Sequence, residues 1–117
     1  METTHEHPID RRIALDRLGG DERIFHEFVE SVLEEIPRML AEIRSALREG
    51  RHEEAHCAAH GLKGMLATLE ARPATAAASE VETLSKAGRT SDAEQAANRL
   101  TRELERLTRA INEPVLP

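Results

Sequence analysis

The chain has 117 residues and a mass of 13.0 kDa, enough for one domain around a single core. Aromatic residues are only 2% of it, Phe25 and Phe28, within a composition rich in Ala, Leu, Glu and Arg, which favours helices over a β-sandwich or barrel. A net charge of −6 with no basic run argues against nucleic-acid binding, the single Cys57 excludes an internal disulfide, and no apolar stretch approaches the roughly 18 residues of a membrane span.

Residues 1–8 are polar, end in Pro8 and read as a flexible N-terminal tail without the basic and apolar regions of a signal peptide, so a soluble cytoplasmic protein is expected. "IDRRIALDRLGG" follows, a short helix capped by Asp10 and ended by Gly19-Gly20. From Asp21 to Gly50, Phe25, Phe28, Val29, Val32, Leu33, Ile36, Leu40, Ile43 and Leu47 recur every three or four residues. This predicts a helix of about 44 Å, bent but not broken at Pro37. A third helix spans about residues 51–70. "RPATAAASEVETLSKAG" predicts a fourth, with Pro73 in its first turn and Gly88 beyond its end. A fifth, capped by Ser91-Asp92, carries an apolar stripe from Ala93 to Ile111 and stops before Pro114.

Short connections between long amphipathic helices imply an all-α fold: an up-and-down antiparallel four-helix bundle with a short additional N-terminal helix. The bundle should occupy residues 9–112, with a C-terminal tail at 113–117. Neither a repeat nor an interdomain linker is visible, and a monomer is expected.

The chemistry concentrates in "HEEAHCAAHGLKG", residues 52–64. His52, Glu53 and His56 spell the H-E-x-x-H pattern of zinc proteases, but the extended pattern's third ligand is missing, since Leu62 stands where a histidine is wanted. On a helical wheel Ala55, Ala59, Leu62, Leu66 and Leu69 fall within about 40° of one direction, the core, and His60 lies about 140° away. His60 therefore faces solvent, with His56 and Lys63 on one flank and Cys57 on the other. Gly61 and Gly64 each cost about 1 kcal/mol in a helix interior. An exposed glycine beside His60 is useful to a partner whose backbone must come close.

"AAHGLKG", residues 58–64, resembles the Ala-His-x-Leu-Lys-Gly signature of the histidine-containing phosphotransfer (HPt) family. The likeness extends through residues 15–47, a short helix, Gly-Gly-Asp and a long helix with an internal proline, and through "SEVETLSKAGR" at 79–89, where Glu82 falls 22 residues after His60. It covers about residues 9–112. The resemblance implies that His60 accepts a phosphoryl group, that Lys63 supports its charge, and that Gly64 admits the partner. Gly61, Thr68 and Glu70 depart from the pattern, Glu70 by placing a charged side chain where the family tends to have none.

The resemblance further implies a phosphorelay intermediate: His60 takes phosphate from a receiver-domain aspartyl phosphate and passes it to another receiver. Partners would be response-regulator receiver domains or a hybrid histidine kinase, with Mg²⁺ supplied by the receiver and no cofactor of the chain's own. No G-x-x-x-x-G-K-[ST] loop is present, so ATP-dependent kinase activity is not expected. The alternatives are an HPt-like module that binds receivers without carrying phosphate, and a metal-binding helical bundle.

Overall fold

Three of the helix ends lead directly into the next helix by one hydrogen-bonding pattern. In the computed structural model, which describes residues 7–113, the helices are α1 (Arg11–Arg17), α2 (Glu22–Arg48), α3 (His52–Thr68), α4 (Arg72–Lys86) and α5 (Thr90–Asn112). After α2, α3 and α4, the N–H of Arg51, Ala71 and Arg89 returns to the carbonyl of Ala46, Leu66 and Leu84, at 2.8, 3.0 and 3.0 Å. Each closure needs a left-handed residue just before it, at Gly50 (φ 73°), Glu70 (φ 54°) and Gly88 (φ 72°). Two of the three are glycine. Glu70 takes the same conformation with a side chain attached.

These closures also set where the next helix begins. Arg51, Ala71 and Arg89 are the N-cap residues of α3, α4 and α5, and none offers a side-chain cap. The expected cap at Ser91-Asp92 is therefore corrected: Gly88 delivers Arg89 in capping position, α5 starts at Thr90, and Asp92 sits in the first turn paired with the Arg89 guanidinium. The two N-terminal aspartates act as anticipated. Asp10 accepts from the Ile13 N–H at 3.2 Å, and Asp21 from Arg23 and Ile24 at 2.9 and 3.2 Å. Helix α2 runs through Pro37 without interruption.

Helix α3 packs on α4, α4 on α5, and α2 on both α3 and α5, so the four long helices close a ring of contacts. Their shared interior holds Val32, Ile43, Leu47, Leu62, Leu66, Leu69, Val81, Leu100 and Leu107, all essentially without solvent contact. Each such side chain contributes about 1.5–3 kcal/mol through burial. The wheel residues Ala55, Ala59, Leu62, Leu66 and Leu69 are all fully buried. Phe25 is buried, whereas Phe28, Leu33 and Leu40 are half-buried against the core.

Helix α1 is held by a small apolar contact and by polar ties. Its buried residue is Ala14, with Ile9 inserted just ahead of it, while Ile13, Leu15 and Leu18 are only half-buried. Arg11 lies over the Phe25 ring at 5.9 Å and donates to the Ile111 carbonyl at 3.3 Å. Among the described residues there is no strand, and no helix is long and apolar enough to cross a membrane. The expected tails at 1–8 and 113–117 fall mostly outside the described residues.

Candidate functional site

Helix α3 turns His60 outward, with 67% of its side chain exposed, and Lys63 follows one turn later on the same face. Across the α3–α4 contact stands Glu82, whose side chain is only 13% exposed. Its Oε2 lies 2.8 Å from His60 Nδ1 and its Oε1 lies 2.7 Å from Lys63 Nζ. One carboxylate thus grips both residues.

The Lys63 ammonium, above all, holds the Glu82 carboxyl below its ordinary value of 4.5; the His60 hydrogen bond adds to this, and partial burial opposes it. An ionised carboxylate can only accept hydrogen bonds. His60 Nδ1 therefore carries the proton, and the ring presents the Nε2 lone pair away from Glu82.

The two interior glycines of α3 have different surroundings. A Cβ built on Gly64 would meet no atom within 4 Å, so nothing in the chain's own packing requires glycine there. One built on Gly61 would come within 3.3 Å of the terminal methyl of Met39 on α2. Both glycines are exposed, but Gly61 also receives Met39, so only Gly64 stands clear of the rest of the chain. Thr68 turns its hydroxyl back to the Gly64 carbonyl at 3.1 Å.

Glu70, the other departure from the HPt pattern, sits at the α3–α4 turn. Its carboxylate pairs with Arg17 Nη2 at 2.7 Å and Arg72 Nε at 2.8 Å. Its backbone carbonyl accepts from the Asp10 N–H at 3.2 Å. Arg17 also donates to the Ala67 carbonyl at 2.5 Å, so this charged turn anchors α1.

The H-E-x-x-H residues do not converge. His52 Nε2 is 2.6 Å from the Thr90 hydroxyl, whereas His56 donates from Nδ1 to the Glu82 backbone carbonyl at 3.1 Å. Cys57 is exposed, its Sγ 3.8 Å from Glu53 Oε2. Among the described residues no three or more His, Cys, Asp or Glu side chains are grouped to hold a metal ion.

Sequence reasoning placed Glu82 in register but gave it no role. The 22-residue spacing was the available signal; a wheel of α3 cannot show what α4 brings to it.

A family model described as Hpt domain matches residues 27–110. Neither a curated protein nor a solved structure matched the chain. With an all-helical fold and a match over most of its length, the chain belongs to the Hpt domain family, the phosphotransfer domains of two-component signalling that interact with receiver domains and histidine kinases.

Proposed function

We propose that this protein is a phosphorelay intermediate whose His60 accepts a phosphoryl group from the aspartyl phosphate of one receiver domain and passes it to another. The observation that carries this reading is the exposed His60 ring, tethered at Nδ1 by Glu82 so that Nε2 is free to attack. A neutral imidazole is a competent nucleophile near neutral pH. In the forward step Nε2 forms a bond to phosphorus while the acyl-phosphate P–O bond breaks, leaving the receiver's carboxylate. The positive charge that develops on the ring is shared with Glu82 through the Nδ1 proton. Lys63 offsets part of the phosphoryl charge, and Gly64 lets the partner's backbone approach.

Phosphoryl transfer depends mainly on positioning and charge stabilisation, so the two proteins can divide the work, with Mg²⁺ held by the receiver. The three-residue connections 49–51, 69–71 and 87–89 and the ring of helix contacts support an up-and-down antiparallel bundle of α2–α5, with α1 as an addition. We assign the working domain to residues 9–112 and treat it as a cytoplasmic monomer.

The test is to mix the protein with a phosphorylated receiver and Mg²⁺ and to look for acid-labile, alkali-stable label. Label on the wild type and none on a folded His60→Gln variant is expected. Label persisting on His60→Gln moves the acceptor elsewhere, and a wild type that binds receivers without being labelled is a docking module instead.

A further inference from the structure

His56 is not used by the proposed transfer, yet it is placed with care relative to His60. The two lie one turn apart on α3, with ring centroids 6.5 Å apart and planes inclined by 24°. Both are fixed by the same residue: the backbone carbonyl of Glu82 takes the His56 Nδ1 proton at 3.1 Å, and its carboxylate takes that of His60 at 2.8 Å. A carbonyl and an ionised carboxylate can only accept, so both rings carry their proton on Nδ1. The Nε2 lone pair of His60 is the proposed nucleophile, and that of His56 is left without a role in the transfer.

Histidines that bind metals usually donate the other ring N–H to a carboxylate or backbone carbonyl, which fixes the tautomer and raises the basicity of the ligating nitrogen. Glu82 supplies one of each. Two imidazoles at i and i+4 can chelate one ion, and neutral imidazole suits zinc and its transition-metal neighbours rather than Mg²⁺. The H-E-x-x-H pattern pointed to His52 with His56, but His52 Nε2 is engaged by Thr90.

We propose that His56 and His60 together form a two-histidine site for a divalent transition metal of the zinc type, and that a bound ion blocks phosphoryl transfer by occupying His60 Nε2. The ion would sit about 2.0–2.1 Å from each Nε2, with the two rings, now 6.5 Å apart between centroids, turning about their side-chain torsions to converge on it. Water completes the coordination, which leaves the metal exchangeable. The inhibitory half of this inference rests on His60 being the phosphoryl acceptor; the binding half does not.

Calorimetric titration of the intact protein with zinc sulfate decides the binding half. One-to-one binding is expected, lost in both His56→Asn and His60→Gln and retained in His52→Asn. Asn is chosen at position 56 because its amide nitrogen can still donate to the Glu82 carbonyl. No binding at millimolar zinc, binding that survives His56→Asn, or binding that requires His52 overturns the site. In the transfer assay, zinc should slow labelling of the wild type and leave His56→Asn labelled as in its absence. Equal inhibition of both places the metal on the receiver and refutes the regulatory role. A wild type that takes no label even without zinc defeats the acceptor reading, and calorimetry alone then decides the metal site.

Discussion

Glu82 of α4 accepts the Nδ1 proton of His60 of α3 at 2.8 Å while its second oxygen faces the Lys63 ammonium at 2.7 Å. The residue fixes which nitrogen of His60 is open and how the ring is turned. Glu82→Ala should leave the fold intact and slow labelling of His60 about 10–100-fold, since misplacing a reacting group by about 1 Å can cost that much. Glu82→Gln retains an oxygen acceptor and should recover much of the rate. Transfer rates against a phosphorylated receiver, with circular dichroism as the folding control, test this; equal rates in Ala and wild type would remove Glu82 from the site.

Gly64 separates stability from docking. A Cβ there meets nothing within 4 Å, so Gly64→Ala should raise stability by about 1 kcal/mol through helix propensity. Gly64→Gln should fold equally well yet slow transfer at least about tenfold, by the same positional sensitivity. Chemical denaturation and transfer assays on both variants provide the check. Transfer unaffected by Gln means that no partner approaches there.

Acid should weaken the fold through two carboxylates. Glu82 is held below its ordinary value of 4.5 chiefly by Lys63, and Glu70 chiefly by Arg72. Folded protein therefore binds fewer protons than unfolded chain in the window from about 4.5 downward, and stability rises with pH across it. The contribution is complete above about 4.5 and is lost as pH falls through the lower folded values. Urea midpoints should be flat from pH 7 to 5 and decline by pH 3, less steeply in a Glu70→Gln/Glu82→Gln double variant. An unchanged slope in that variant assigns acid sensitivity to other groups.

The Glu70 turn balances opposed effects. Its φ of 54° is a conformation that glycine adopts without strain at Gly50 and Gly88, while its carboxylate ties Arg17 to Arg72. Glu70→Ala keeps the strained backbone and loses both ion pairs, so its unfolding midpoint should drop. Glu70→Gly relieves the backbone and should recover part of that loss, with faster hydrogen exchange in α1, whose anchor is gone. If Ala and Gly are equally destabilised, backbone strain at position 70 is negligible.

Much of the architecture was legible from residue spacing. The 3.6-residue period located all five helices to within about two residues at each end, because an apolar face must be buried whatever it packs against. The wheel of α3 put Leu62 inside and His60 outside on the same ground. The Ser91-Asp92 cap was misplaced for a local reason: a good capping side chain yielded to a backbone already turned at Gly88. Similarly, Leu33 and Leu40 have the period of core residues but lie at its margin, because curvature and packing decide how deep a face sits.

The sequence by itself determined the helices, the outward turn of His60 and the proximity of Lys63, since these follow from the angle between residues on one helix. Only the tertiary structure decided that Glu82 joins them, that His56 and His60 share it, that Met39 fills the space at Gly61, and that Glu70 anchors α1. Each of these is a relation between segments brought together by burial of apolar surface. That force is non-directional, and the polar contacts it makes possible depend on the rotation and offset of whole helices.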